Sequence, residues 1–199
     1  WRGRLPLASG PDTPIKGFHH LLEALVLVLK QYPDARVIVP GPDIFRSSGR
    51  ARLLEQTYHQ YLRRYAARYG LTDHVRFLNR LDAEQMKQAF LSANVFVLPS
   101  VMENSPNILG EAMLLGLPCI AADVGGVSSM LHAPEEGLLY QSSAPYVLAQ
   151  DICRVFAMEA DASNMGAAAR RRALLTHDPK QNLDTLLDIY RSLSQADEP

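Results

Sequence analysis

The stretch VFVLPSVMENSPNILGEAMLLGLPCIAA, residues 95–122, contains the pattern that decides the fold. It begins with an apolar run at 95–99, passes through a polar turn and a segment of helical periodicity, and returns to a second apolar run at 118–122. Strands that are buried on both faces of a sheet read as continuous apolar runs, and a helix is the usual connection between two parallel strands. The stretch therefore predicts one strand–helix–strand unit of a parallel sheet.

The same alternation continues on both sides of this unit. Further short apolar runs predict strands at 5–9, 35–40, 75–78 and 137–140. Helical periodicity predicts helices at 19–31, at 49–69, and from a capping box of Asp82 and Gln85 through Ala93, and only helices from Ala144 onward. We therefore expect an α/β fold, a Rossmann-like doubly wound parallel sheet of about six strands with helices on both faces, in a single domain over residues 1–199.

Composition excludes several classes of protein. The 20 basic and 21 acidic residues balance to a formal net charge of -1, which argues against a nucleic-acid partner. Cys119 and Cys153 lie in apolar stretches outside any metal-binding or disulfide pattern, so we expect reduced thiols in a cytoplasmic protein. No apolar run is long enough for a membrane span. Because the chain starts at Trp1 and enters a predicted strand almost at once, we expect that an N-terminal portion was removed or is encoded separately.

The start of the helix within 95–122 has the features of an anion site. Ser105 suits the N-cap and Pro106 the first helical position, which would leave the amides of Asn107 and Ile108 free. Free amides at the positive end of a helix dipole attract phosphate. This pattern predicts a phosphate-bearing ligand.

Two carboxylates accompany this helix end. Glu111 follows Asn107 by four residues and shares its face, while Glu103 approaches from the turn. Two acidic groups beside a phosphate repel one another unless each binds hydroxyls, and a nucleotide sugar offers a diol on the ribose and another on the hexose. The arrangement therefore predicts a sugar-nucleotide ligand.

These residues carry a resemblance to a known family. The segment ENSPNILGEAMLLGLPCIAADVGG resembles the E-x7-E region of glycosyltransferase family 4, with E-A-M, G-x-P and a G-G turn following in order. Four other segments resemble further motifs of that family, namely IKGFHHLLEAL, VRFLNRL, NVFVLPS and EEGLLY. The resemblance implies the C-terminal, donor-binding domain of a two-domain GT-B enzyme whose N-terminal acceptor domain is absent from this chain.

The resemblance also implies a role for each matched residue. Glu103 is the catalytic candidate that contacts the transferred sugar, Glu111 binds the ribose, and Lys16 neutralises the departing diphosphate. Backbone amides that would contact the sugar or the diphosphate belong to Asn104, Ser105, Asn107 and Ile108. Residues that would lie against the nucleobase are Asn79, Arg80 and Leu81. No metal and no other cofactor is required in this scheme.

Two departures from the family pattern affect these roles. The G-R element that commonly precedes the lysine is missing, so positive charge on the diphosphate would come from Lys16 and Arg80. Asn79 stands where glycine is usual, and asparagine tolerates the left-handed geometry that such a turn needs.

Other features have simpler interpretations. We interpret Gly125 and Gly126 as a sharp structural turn. Arg170, Arg171 and Arg172 are interpreted as a solvated helix face, with attraction to anionic lipid headgroups as the alternative. Four tyrosines recur at helical spacing, and we expect them to pack against the core from a half-buried helix face. They are Tyr58, Tyr61, Tyr65 and Tyr69.

The functional hypothesis is a retaining hexosyltransferase that uses a nucleoside diphosphate sugar and a saccharide or lipid-linked acceptor, in polysaccharide or glycoconjugate biosynthesis. We expect a cytoplasmic enzyme with at most peripheral association with the inner face of the membrane, inactive without its N-terminal half. Its last helix, near 181–193, would pack toward that half. Two alternatives stay open, a GT-B-like sugar-nucleotide epimerase and a non-catalytic nucleotide-sugar-binding module. A dehydrogenase is disfavoured because no G-x-G-x-x-G follows the first predicted strand.

Overall fold

The sheet is the centre of the molecule, as seen in a computed structural model that describes residues 6–8, 10–11, 13–46, 57–158 and 160–196. Its six strands are all parallel and lie in the order β3-β2-β1-β4-β5-β6. The strands are β1 (Pro6–Ala8), β2 (Val37–Val39), β3 (Val75–Phe77), β4 (Val95–Leu98), β5 (Cys119–Ala122) and β6 (Leu138–Tyr140). All six predicted strands are confirmed. Strands β2 to β6 are each one or more residues shorter than their apolar runs, and positions 5 and 9 of the first run lie outside the described residues. The predicted α/β doubly wound class is also confirmed.

Helices lie between the strands and after the last one. They are α1 (Phe18–Gln31), α2 (Thr57–Arg68), α3 (Ala83–Ser92), α4 (Asn107–Leu114), α5 (Val127–Met130), α6 (Pro145–Met158), α7 (Ala160–Thr176) and α8 (Pro179–Ala196). The predicted capping box is confirmed, since the Gln85 amide donates to Asp82 Oδ1 at 2.8 Å and the Asp82 amide donates to Gln85 Oε1 at 3.1 Å. Residues 49–56 of the helix predicted at 49–69 lie outside the described residues.

Alternate residues of each central strand contribute to cores on opposite faces of the sheet. On β4, Val95 and Val97 pack with α1, α2 and α6, whereas Phe96 and Leu98 pack with α3 and α4. This separation follows from the two-residue period of a strand. Helix α7 reaches both cores, but none of the described residues of α8 is buried.

The strand order reverses between β1 and β4, at the middle of the sheet. The chain leaves β1 for α1 on one face and leaves β4 for α4 on the other. A crevice forms beyond the carboxyl ends of two strands whose connections diverge in this way, and ligands of doubly wound folds bind there. Among the described residues, no helix combines the length and the apolar character needed to cross a bilayer.

Candidate functional site

The loop after β1 is pressed against the end of β4. A 3₁₀ turn at Pro14–Lys16 ends at Gly17, whose φ is 67°. The amide of Val101 donates to the carbonyl oxygen of Ile15 at 2.7 Å, and a Cβ atom at Gly17 would overlap the carbonyl oxygen of Pro99. Glycine at position 17 therefore allows the backbone approach that brings Lys16 to the loop after β4.

Lys16 and Glu103 form an ion pair at this junction. Lys16 Nζ lies 2.7 Å from Glu103 Oε1, and the hydroxyl of Ser100 donates to the same carboxylate oxygen at 2.7 Å. The Glu103 side chain is 9% exposed and that of Lys16 is 40% exposed, while Ser100 is fully buried. Hydrogen bonds to an ionised group are the strong ones in proteins, so these two contacts fix the direction of the carboxylate. Neither contact uses Oε2 of Glu103.

The turn after β5 supports the same loop from the other side. Gly126 donates its amide hydrogen to the carbonyl oxygen of Asn104 at 3.0 Å. Gly125 has a φ of 54°, and a Cβ atom there would overlap the carbonyl oxygen of Glu103. The structure thus gives both glycines the structural role that we expected for them.

Helix α4 begins one residue later than the sequence suggested. Pro106 has an extended backbone, with φ -73° and ψ 106°, and occupies the N-cap position, so the prediction that Ser105 caps the helix is wrong. The Ser105 hydroxyl instead donates to Met130 Sδ at 3.6 Å. The amides of Asn107 and Ile108 have no hydrogen-bond acceptor among the described residues, and they point from the first turn as an anion site requires.

Glu111 lies on the exposed side of α4, one turn into the helix. It lines a shallow cleft of about 390 Å³ together with Leu81 and Met86. Lys16 and Glu103 do not line this cleft. The predicted site residues therefore form two groups, the ion pair at the switch point and the Glu111 cleft, with the first turn of α4 between them.

The loop after β3 forms one wall of this cleft. Asn79 has a φ of 57°, so the expectation that asparagine preserves the left-handed turn is confirmed. Its carbonyl oxygen accepts from the amide of Gly41 at 2.9 Å, which ties the loop to the end of β2. Leu81 is half-buried, and Asn79 and Arg80 are exposed.

Sequence reasoning missed Ser100. It precedes Glu103 by three residues in the quoted stretch, directly after the buried Pro99. The available signal was a serine that directly follows an apolar run and precedes a glutamate by three residues. The burial of Ser100 and its hydrogen bond to Glu103 became visible only in three dimensions.

The arginine cluster on α7 has a structural role. Arg170 donates to the carbonyl oxygen of Leu114 at 2.7 Å, and Arg172 donates to those of Met130 at 2.9 Å and Ser129 at 3.0 Å. Two of the three arginines thus bind α7 to α4 and α5. Arg172 is half-buried, so the prediction of a solvated face is wrong for that residue, whereas Arg170 and Arg171 are exposed, as predicted.

The tyrosines of α2 divide into two kinds. Tyr58 and Tyr65 pack against the core, as expected. Tyr61 and Tyr69 are each 44% exposed, so the prediction of core packing is wrong for them.

A doubly wound sheet with charged groups and free helix amides at its switch point defines a class of domain that binds phosphate-bearing ligands. The sequence profile of the family described as glycosyl transferases group 1 matches residues 5–172. The chain therefore belongs to this family.

Known proteins match most of this chain. D-inositol 3-phosphate glycosyltransferase of Streptomyces avermitilis is 34% identical over 175 residues, which cover 85% of this chain and 36% of that protein. The structure of sucrose-phosphate synthase from Thermosynechococcus elongatus superposes with a TM-score of 0.79 at 28% identity, over 98% of this chain and 46% of that one. The fold is also that of the Anabaena protein HepE, solved in complex with UDP-glucose, with a TM-score of 0.80 at 23% identity over 94% of this chain and 49% of that one. This chain thus spans half or less of each of these three proteins.

Proposed function

We propose that this chain is the C-terminal, nucleotide-sugar-binding domain of a retaining glycosyltransferase of family 4. The enzyme transfers a hexosyl group from a nucleoside diphosphate sugar to a saccharide or lipid-linked acceptor, in polysaccharide or glycoconjugate biosynthesis. The observation that carries the proposal is the Lys16–Glu103 ion pair, which lies at the topological switch point next to the free amides of α4. The UDP-glucose found in HepE supports the class of donor.

The diphosphate of the donor would bind at the first turn of α4. The amides of Asn107 and Ile108 donate to phosphate oxygens there, and Lys16 turns from Glu103 toward the diphosphate, since its half-exposed ammonium is free to rotate about a long side chain. These groups stabilise the negative charge that develops on the leaving group, and the scheme requires no metal.

Glu103 would then bind hydroxyls of the transferred sugar. With Oε1 held by Ser100, the carboxylate offers Oε2 as an acceptor in a fixed direction. Transfer proceeds on one face of the sugar: the bond from the anomeric carbon to the diphosphate oxygen breaks, the acceptor oxygen bonds to that carbon, and the diphosphate takes the acceptor proton. Retention of configuration follows from this geometry.

The nucleoside would lie in the cleft between α4 and the loop after β3. Glu111 accepts hydrogen bonds from the ribose diol, while Leu81 provides an apolar contact for the base beside Asn79 and Arg80. Contacts of this kind involve mainly backbone and apolar atoms, so they do not select one base.

The acceptor site would belong largely to an N-terminal domain. The relatives are longer than this chain, which leaves room for such a domain. Helix α8 presents a row of large exposed side chains that would pack against it, namely Leu183, Leu186, Leu187, Ile189, Tyr190 and Leu193. The isolated chain would then bind donors without transferring sugar.

Calorimetry with two variants tests the site assignment. Glu111→Ala should weaken binding of a nucleoside diphosphate roughly 10- to 100-fold, the effect of losing hydrogen bonds to a charged acceptor. Glu103→Ala should leave binding of the nucleoside diphosphate nearly unchanged but remove the extra affinity that the sugar provides. The exposed Glu135 supplies the control Glu135→Ala, which should bind like wild type. If both site variants bind donor and diphosphate as wild type does, the assignment is wrong.

A further inference from the structure

One face of α2 carries aromatic and basic side chains together. Tyr61, Arg64, Tyr65, Arg68 and Tyr69 follow one another at spacings of three and one, which places them on one side of the helix and its C-terminal end. We name these five residues the aromatic–basic face. Four of them are exposed, and Tyr65 packs against the core and anchors the row.

The rings of this face form a continuous row. Ring centroids of Tyr61 and Tyr65 lie 6.1 Å apart, and those of Tyr65 and Tyr69 lie 4.6 Å apart. The guanidinium carbon of Arg68 lies 5.5 Å from the ring centroid of Tyr69. Mutual contact restricts the rotamers of these side chains, so the surface is ordered before a partner binds. The side chains of the face therefore lose little conformational entropy on binding.

The hydroxyl groups of Tyr61 and Tyr65 stay neutral at physiological pH. Partial burial, and then the nearby Glu23 carboxylate, raises the pKa of Tyr61 and of Tyr65. Glu23 itself lies 3.3 Å from His20 Nδ1. The charge of the face therefore comes from its arginines.

Charge along the sequence is strongly uneven around this helix. From Arg46 through Gly70, both included, the sequence contains six arginines and one acidic residue, Glu55, a net charge of +5 within a chain of formal net charge -1. Helix α2 itself contains no acidic residue. Such an asymmetry favours a partner of negative charge.

We propose that the aromatic–basic face docks this domain on a bilayer surface that contains anionic phospholipid. Tyrosine rings prefer the headgroup region of a bilayer, and arginines near an anionic surface are each attracted by about 1 kcal/mol, a roughly fivefold gain in binding. A single convex helix offers no groove for a soluble polymer, whereas a planar bilayer can contact the whole row at once. The inference does not depend on the proposed transferase function.

Docking through this face leaves the candidate site accessible. Helix α2 flanks the sheet on the face that carries α1 and α6, whereas α4, with its free amides, belongs to the opposite face. A domain held by α2 would keep its switch-point crevice open to a donor from solution.

Co-sedimentation of the chain with lipid vesicles tests the proposal. The chain should sediment with vesicles of phosphatidylcholine mixed with phosphatidylglycerol, should remain in solution with phosphatidylcholine alone, and should be released by high salt. The double variant Arg64→Gln/Arg68→Gln should partition roughly 30-fold less, from about 1 kcal/mol for each arginine. Tyr61→Ala should also reduce binding to vesicles, because the variant has no ring at this position to contact the headgroup region.

A matched double variant removes two positive charges elsewhere. Arg171 and Lys180 are exposed on α7 and α8, and Arg171→Gln/Lys180→Gln should bind vesicles like wild type. Thermal unfolding near the wild-type temperature shows that each variant is folded. Equal binding to neutral and anionic vesicles, an unchanged Arg64/Arg68 variant, equal losses in both double variants, or binding to soluble heparin without binding to vesicles would each overturn the proposal.

Discussion

Replacing Gly125 by alanine tests the packing that shapes the site loop. The residue has a φ of 54°, a left-handed geometry that costs an L-residue about 1–2 kcal/mol. Its Cβ atom would in addition overlap the backbone carbonyl of Glu103, and overpacking of this kind typically costs about 1–3 kcal/mol. The two terms together predict that Gly125→Ala lowers the free energy of unfolding by about 2–5 kcal/mol.

Gly70 provides a matched control for this variant. Its φ of 67° is similar, but nothing lies within 4 Å of the position that a Cβ atom would occupy. Gly70→Ala should therefore show the backbone cost alone, about 1–2 kcal/mol. The difference between the two variants isolates the contact with Glu103.

Urea unfolding, thermal unfolding and donor binding measure these consequences. In a chain of this size each kcal/mol lowers the Tm by about 2–4 °C, so Gly125→Ala should unfold several degrees below Gly70→Ala. Gly125→Ala should also weaken binding of a sugar nucleotide, because relief of the overlap displaces the backbone of Glu103, whereas Gly70→Ala should not. Equal stability of the two variants would refute the claim that the glycine turn supports the site loop.

Two further predictions concern hydroxyl groups. Ser100→Ala removes the buried hydroxyl that donates to Glu103 and should lower the free energy of unfolding by about 1–3 kcal/mol. In calorimetry this variant should also lose the part of the sugar-nucleotide affinity that the sugar provides. Unchanged affinity would show that Ser100 does not orient the carboxylate. Burial raises the pKa of Tyr58 from 10.0 to about 12, against the lowering effect of its hydrogen bond with the His19 backbone, so its stabilising contribution is complete below pH 10 and is lost as pH rises through about 12. Tyr58→Phe should therefore lose less stability than wild type over this interval in pH-dependent urea unfolding, and parallel losses would contradict this.

The sheet was predictable because its signals are local. Strands β1, β2, β4 and β5 are buried on both faces, so runs such as 95–99 and 118–122 stand out against their polar surroundings. Asp82 and Gln85 mark the start of α3 because their capping contacts lie within four residues of sequence. Asparagine is one of the few residue types that tolerate a left-handed backbone, so Asn79 could be assigned to its turn. Local physics and the final structure agree at these positions.

The contacts that arrange the candidate site are not local. Lys16 and Glu103 are 87 residues apart in sequence, and they meet because β1 and β4 are neighbours in the sheet. Their direct pairing depends on strand order, which apolar runs do not encode. For the same reason the sequence did not reveal the hydrogen bond of Arg170 to α4, whose acceptor is 56 residues away. Nor did it reveal the exposure of Tyr61, which depends on what α2 packs against.

The start of α4 shows a different limit. Both Ser105 and Pro106 have features of a helix boundary, and the choice between them depends on one backbone torsion angle at Pro106. Met130, from another part of the chain, accepts the hydrogen bond of the Ser105 hydroxyl and so takes it away from the helix end.

The position of the ion pair on the two innermost strands has a consequence for how this architecture can diversify. Loops at the rim of the sheet, such as the one after β3, lie two strands away from β1. They are free to lengthen, shorten or exchange side chains without displacing β1 and β4, the paired strands that precede Lys16 and Glu103. Descendants of one ancestor can thus change their side chains at the periphery and inherit the same central ion pair.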